Sequence, residues 1–217
     1  MKNVLILFMS ILIFPFSGFT QVLIDIEEIT PFHEEVAAIR KGNKWAFINT
    51  NGEIIIDYRD DLVWHSNPEA TTKKKSQKQF IPYPSFSEGL CMIKQMKNGV
   101  YYYGYIDKRG KTSILPEFLN ATSFNKGYAI VLKVSKEELG RNHLLHKKVV
   151  SYSYDEVIID SSGTVKIHLT APKNFTLTKN KLKWPPAIES HFIAPNLVAV
   201  KNKNNSWNLQ NVDTSSN

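Results

Sequence analysis

The chain is short of cysteine. Among its 217 residues only Cys91 occurs, so no intrachain disulfide can form and the fold must be held by packing. Cys91 lies in the apolar run Leu90-Cys91-Met92-Ile93, where a thiol is expected as a small buried hydrophobe rather than as a nucleophile. The chain has no Cys-x-x-Cys pair, no Gly-x-Ser-x-Gly elbow and no phosphate-binding glycine loop, the usual signatures of redox, acyl-transfer and nucleotide chemistry. His143 and His146 stand three residues apart without a third evident ligand, and an Asp-x-x-Gly loop offers one carboxylate where calcium asks for about six to eight oxygens. Paired acids such as Glu34-Glu35 and Asp60-Asp61 point to opposite faces of a strand and make no catalytic pair. The expectation is therefore no catalytic residue, no metal ligand and no cofactor.

Hydrophobic residues make up 42% of the chain and charged residues 22%, with nine Tyr, twelve Phe and four Trp. A core can be buried, and global disorder is excluded. The net charge is +7, with a dense run at Lys73-Lys74-Lys75 and Lys78. The first twenty residues differ from the rest: Lys2 precedes the apolar stretch Val4 to Phe14, and Pro15 to Thr20 adds Pro, Ser and Gly before Gln21. That is the three-part pattern of a secretory signal peptide, cut between Thr20 and Gln21. The apolar stretch falls short of the roughly 20 residues that span a bilayer, and no later segment is apolar enough. An exported protein is expected, periplasmic, cell-surface or extracellular. There, a basic chain meets envelope protein, glycan or anionic lipid rather than nucleic acid.

Two stretches of the chain repeat each other. Phe32 to Asp57 and Phe86 to Leu115 each open on Phe and continue with an apolar run, Val36-Ala37-Ala38-Ile39 or Leu90-Cys91-Met92-Ile93. A glycine turn comes next (Lys41-Gly42-Asn43; Lys97-Asn98-Gly99), then Lys44-Trp45-Ala46-Phe47-Ile48-Asn49 or Tyr103-Gly104-Tyr105-Ile106-Asp107, then a second turn at Gly52 or Gly110. A third run, Glu53 to Ile56 or Lys111 to Leu115, closes each copy. Segments this short, bounded by turn residues and rich in β-branched side chains, are strands. Each copy is thus a three-stranded meander. Asn51-Gly52 and Asn98-Gly99 suit the positive φ of tight hairpins. Asn49, Asp107 and Asp160 stand three residues before a glycine, where a short polar side chain accepts hydrogen bonds from the turn's own amides.

In the central strand Trp45 and Phe47 share one face, as do Tyr103 and Tyr105, with Ala46 or Gly104 on the other. A large ring beside a small residue suits close stacking of neighbouring hairpins. Two weaker copies lie further along the chain. Phe124-Asn125-Lys126-Gly127 restarts the opening phrase and Asp160 to Gly163 matches its second turn, with about 25 dissimilar residues between. Phe192 to Val200 and then Trp207 form a last, decayed copy, with Asn196 in the glycine's place as a residue that tolerates the left-handed region. Between them Ser135 and Glu138 make a capping box that predicts a short helix ending at Gly140. Arg59 to Pro84 is expected as a long polar connection.

Phe-x-x-Gly at 86–89 and 124–127, followed by aromatic-small-aromatic-Ile-Asn/Asp-x-x-Gly at 45–52 and 103–110, resembles the WG-repeat family of exported bacterial β-repeat proteins. The likeness is best over Phe86 to Leu132 and covers Phe32 to Asp57. The literal Trp-Gly pair appears as Trp45-Ala46 and Tyr103-Gly104, and Glu35 replaces a glycine. The resemblance implies a binding or structural module, with no catalytic residues attached to the motif. The expected architecture is all-β: tandem three-stranded meanders in an open array, with a more irregular C-terminal part. The expected division is a signal peptide at 1–20, repeats over 21–135 and a degenerate region over 136–217. The function expected is that of a non-enzymatic module binding envelope or extracellular material. The alternative is an enzyme, such as a hydrolase, with a site in the degenerate region. Tyr101, Tyr102, Tyr103 and Tyr105 are the candidates for a stacking surface.

Overall fold

The structure is a computed structural model that describes residues 24–64, 82–142, 147–175, 185–202 and 204–212. The segment 1–20 with its cut at Thr20-Gln21, the lysine run at 73–78 and the pair His143/His146 lie outside the described residues. Within them every regular element is a strand, arranged in four antiparallel sheets. The first holds β1 (Glu28–Ile29), β2 (Val36–Lys41), β3 (Lys44–Asn49) and β4 (Ile54–Arg59), side by side in chain order. The second holds β5 (Phe86–Ser87), β6 (Leu90–Lys97), β7 (Val100–Asp107) and β8 (Thr112–Phe118) in the same order. In the third, β9 (Tyr128–Asn142) and β11 (Val165–His168) flank β10 (Lys147–Asp160), and β12 (Lys173–Phe175) extends the β11 side. The fourth is β13 (His191–Ala194), β14 (Leu197–Lys201) and β15 (Trp207–Asn211).

Register shows that these sheets are one unit repeated. Ala46 faces Ile39, Gly104 faces Ile93 and Val157 faces Val131. Trp45, Tyr103 and Glu156 therefore hold equivalent places, and so do Phe47, Tyr105 and Ile158. In the fourth sheet Trp207 faces Lys201 as Trp45 faces Arg40, so Trp207 and Leu209 fall where Trp45 and Phe47 do. The decayed copy anticipated at 192–207 is present.

The same contacts join each copy to the next. Alternation sends Trp45 and Phe47 forward from the first sheet, and Cys91, Ile93 and Ile106 backward from the second, into one buried cluster. Tyr103 and Tyr105 meet Ala129, Val131, Val157 and Ile159 in the next cluster. Ile130 and Ile158 meet Val198 and Val200 in the third. The Phe of each opening phrase sits edge-on against the preceding copy's central ring, Phe86 on Phe47 at 4.8 Å and Phe124 on Tyr105 at 4.9 Å. Phe32 opens the first copy and is 50% exposed.

A second joint is polar. Glu88 and Gly89 both take positive φ, as do Glu34 and Glu35 and then Lys126 and Gly127, so each opening phrase is a two-residue hairpin with its amides turned outward. The Glu34 carboxylate accepts from the amides of Glu88 at 2.5 Å and Gly89 at 2.9 Å. One copy further on, the Glu88 carboxylate accepts from the amides of Lys126 and of Gly127, the latter at 2.6 Å. Burial pushes the Glu34 carboxyl upward, but the Gly89 and Glu88 amides and the Lys108 ammonium outweigh it and hold it below the usual carboxylate range. The series stops at Lys126, which has no carboxylate, and Pro195 in the fourth copy has no amide hydrogen to offer.

Several expectations are corrected. Residues 135–140 form no helix: they lie inside β9, paired with β10 along its length. Tertiary pairing overrides the local capping signal, and the 25 dissimilar residues are the lengthened β9–β10 hairpin. Gly140, at a bulge with φ 149°, ends no helix. The connection after Arg59 does not start as a polar loop. Leu62 and Val63 are buried, and the Val63 amide donates to the Met92 carbonyl at 3.1 Å. The Thr30 amide makes the same bond to Ala38, and Thr122 to Ile130. Only Gly52 of the Asn51-Gly52 pair has positive φ. Asn196 does not adopt it either; in the fourth copy that conformation falls to Asn205, with φ 63°.

The small residue beside the ring has a cause within its own sheet. A Cβ on Gly104 would lie 2.5 Å from the Ile114 carbonyl oxygen and 2.6 Å from the Pro116 nitrogen. The strand β8 bulges between the partners of Tyr105 and Tyr103, from Ile114 to Phe118, and passes over Gly104. The corresponding span in the first copy runs from Ile56 to Arg59, one residue shorter, and there Ala46 fits.

Candidate binding surface

The four candidate tyrosines separate into two roles. Tyr105 and Tyr103 are buried at 1% and 9% exposure; Tyr105 donates its hydroxyl hydrogen to the Thr122 carbonyl at 2.7 Å. They are core. Tyr101 is 39% exposed and Tyr102 half-buried. Tyr101 lies in the part of the β6–β7 hairpin that outruns its counterpart in the first sheet, eight residues per strand against six, and Tyr102 takes the place of Lys44 at the base of that part.

The lengthened β9–β10 hairpin adds Tyr152 and Tyr154, and β12 lies beside it through the pairs Tyr152–Phe175 and Tyr154–Lys173. Phe175 sits edge-on to Tyr154 at 5.4 Å and tilted to Tyr152 at 6.2 Å. Tyr102 closes the group: burial and the nearby Tyr152 hydroxyl both raise its phenol above the usual value. Buried Val100, Leu119 and Leu132 support the Tyr102, Tyr154 and Phe175 rings, so this part of the platform is held by core packing rather than by a loop.

Cations border the rings. The Lys97 ammonium lies 5.7 Å from the Tyr102 ring and Lys136 lies 5.9 Å from Tyr152, with Lys94 5.4 Å from Tyr101. Each is within cation–π reach. Lys97 also donates to the Pro116 carbonyl at 2.6 Å. Partial burial pushes Lys94 below the ordinary lysine value. Half-buried rings edged by ammonium groups can stack on a flat apolar ring face and attract an anionic substituent beside it.

Tyr152, Tyr154, Phe175 and Lys136 were not among the candidates. Their signal was present in the sequence as alternation: Ser151-Tyr152-Ser153-Tyr154 puts two tyrosines on one strand face. The helix expected just upstream masked it.

Other candidates resolve as structure. Cys91 is 1% exposed, and burial pushes its thiol up to about 12, which denies it the reactive thiolate. The Asn49, Asp107 and Asp160 side chains each accept from two amides of their own turns, at 2.9–3.0 Å. Asn202 does the same toward Asn204 and Ser206. Glu156, in the place of Trp45, accepts from the Glu189 and Ser190 amides, both at 2.9 Å. One titratable pair stands apart: Asp155 Oδ2 lies 2.5 Å from His168 Nδ1, with the carboxylate 3% exposed and the imidazole 60%. Among the described residues no group of three His, Cys, Asp or Glu converges as a metal site, and no helix is long and apolar enough to cross a membrane.

Searches of curated proteins and of solved structures returned no match. The family model of the WG containing repeat matches residues 24–45 and 103–136. The second match runs from the central strand of one sheet, through β8, into β9 of the next, so the family's unit is offset by part of a sheet from the structural one. With the ring-small-ring strand, the Asp-x-x-Gly turn and the Phe-x-x-Gly hairpin all in matching register, the two matches support a WG-repeat assignment for these stretches of the chain.

Proposed function

We propose that this protein is an exported, non-enzymatic binding module that holds an acidic glycan of the cell envelope on the platform of Tyr102, Tyr152, Tyr154 and Phe175, flanked by Lys97 and Lys136. The observation that carries the reading is this row of half-buried rings edged by ammonium groups on the two lengthened hairpins. Sugar rings stack on aromatic faces, and the lysines supply the charge that an acidic residue requires. Export is supported by the first twenty residues, whose charged, apolar and small-residue parts match a cleaved signal. The test is retention of the chain from Gln21 onward on immobilised acidic envelope polysaccharide. The wild type is retained and eluted by salt, as expected for screened charges, whereas Tyr152→Ala combined with Lys136→Ala is not. Equal retention of wild type and double variant would remove the platform from the account.

The enzyme reading has one observation in its favour, the buried Asp155 that orients the exposed imidazole of His168. A carboxylate behind an imidazole is the arrangement that positions a general base. The same pair also secures the end of β11 against β10, where His168 faces Val157. Loss of a hydrolytic activity in His168→Ala, with unchanged retention on glycan, would favour the second reading over the first.

A further inference from the structure

In the first three sheets the forward face of the central strand is covered by the next sheet in the chain. Trp45, Phe47, Tyr103 and Tyr105 are 0–9% exposed. The fourth sheet breaks this rule. Its forward face carries Trp207 and Leu209, in the places of Trp45 and Phe47, and they are 44% and 63% exposed. Alternation puts Leu197 and Ala199 on the same face, since Val198 and Val200 point back into the third cluster. His191, opposite Ala199, lies edge-on to Trp207 at 5.0 Å. Ile193, at the bulge of β13, is 51% exposed. Exposed Trp, Leu and Ile gathered at one end of an otherwise covered stack mark an interaction surface.

We propose that this face binds the same face of a second copy of the chain, giving a two-fold dimer that continues the stack of sheets across its axis. The argument for this occupant is continuity: each of the three interfaces within the chain buries the same positions against another β-meander. The second copy cannot stack head to tail, because the rear face of the first sheet is closed. Ala37, Ile39, Ala46 and Ile48 are 0–8% exposed and form their own cluster with Ile26, Ile54 and Tyr58. Among the described residues only the fourth sheet leaves its stacking face uncovered, so the contact is isologous and assembly stops at two. Charge does not oppose it, since Lys201 beside the patch lies 3.7 Å from Glu189 of its own chain.

The test is the mass in solution of the chain from Gln21 onward, by light scattering over a concentration series, for wild type, Leu209→Glu and Leu115→Glu. Leu209 and Leu115 are both more than 60% exposed, so neither substitution reaches the core; matching circular dichroism checks this. Wild type and Leu115→Glu are expected as dimers, and Leu209→Glu should raise the dissociation constant about tenfold or more, as for a central interface residue. A second variant needs no loss of function: Leu209→Cys places an exposed thiol in a chain whose own Cys91 is buried. It should oxidise to a disulfide-linked dimer at concentrations where Leu115→Cys does not. A monomeric wild type, an open-ended polymer, or equal dimer weakening by Leu209→Glu and Leu115→Glu would each overturn the proposal. These results are independent of glycan retention, so the two readings fail separately.

Discussion

The second and third copies share a topology but use their central strands differently. In the second, Tyr103 and Tyr105 face forward into the core, and Gly104 accepts the bulge of β8 above it. In the third, Glu156, Val157 and Ile158 stand in those places. The pairing with β11 there is regular from Val157 to Ile158 without the bulge, so Val157 needs no glycine. Glu156 takes up backbone amides where a ring would have packed. The Trp-Gly signature is thus a solution to one local problem, a ring that must be buried beside a strand that must bulge. Where the bulge is absent the signature disappears and the sheet persists. The third copy also has the longest first hairpin, β9–β10, and its extension carries Tyr152 and Tyr154 of the aromatic platform.

The most severe way to break this comparison is at the small residue. Gly104→Ala places a Cβ within 3 Å of backbone atoms of Ile114 to Pro116. It should cost about 3 kcal/mol in urea unfolding, the upper range for overpacking. The reverse change in the first copy, Ala46→Gly, should cost only about 1 kcal/mol, the entropic penalty of glycine in a strand. Similar values for the two would show that the bulge does not dictate the glycine.

The polar joint gives the next largest effect. Glu88→Ala removes both acceptors of the Lys126 and Gly127 amides and should cost about 2 kcal/mol, in the range for charge-assisted hydrogen bonds. Lys126→Ala, at the same place one copy later, should change stability by no more than about 0.5 kcal/mol, since its side chain holds no following turn.

Acid sharpens the same contrast. Glu34 is held below the ordinary carboxylate range in the folded state, and Asp160 is lowered to about 2. For Asp160 burial acts upward, but the Ser162 hydroxyl, Lys166 and the turn amides prevail. A carboxyl with a depressed folded pKa stabilises the protein above its unfolded value, about 4, and that stability fades as pH falls through the folded value. Unfolding midpoints should therefore drop from about pH 4 downward. Glu34→Gln and Asp160→Asn should each be less stable than wild type at pH 7 and lose less on acidification. A slope left unchanged in both variants would contradict the assigned hydrogen bonds.

The smallest stability effect belongs to the platform. Tyr152→Ala should cost about 1 kcal/mol or less, because the ring is half-buried and surface changes are mild, while abolishing retention on acidic glycan.

How much of this could be read in the sequence differs along the chain for physical reasons. The first two copies were legible because turn residues and strand alternation agree there: Asn98-Gly99, the Asp107 turn and the ring-small-ring phrase all specify one meander. The joints between copies were not legible. That Glu34 would reach Gly89 depends on how far apart two sheets pack, and residues more than fifty positions apart carry no local signal of it. At 135–140 a local capping pattern competed with strand pairing to Val149–Ser153, and the long-range partner prevailed. Trp207 was recognised as the mark of a last copy, but its exposure depends on whatever packs beyond it, which one strand's sequence does not encode.

The central claim is that each copy is docked on the next through the same positions, and amide hydrogen exchange tests it residue by residue. The amides of Glu88, Gly89, Lys126 and Gly127 lie in hairpin tips that would exchange freely in isolation, yet carboxylates of the preceding copy should protect them, while those of Glu34 and Glu35 should exchange fast. In Glu34→Ala, protection should vanish at residues 88 and 89 and survive at 126 and 127. Uniform exchange at all three tips in the wild type would contradict the account.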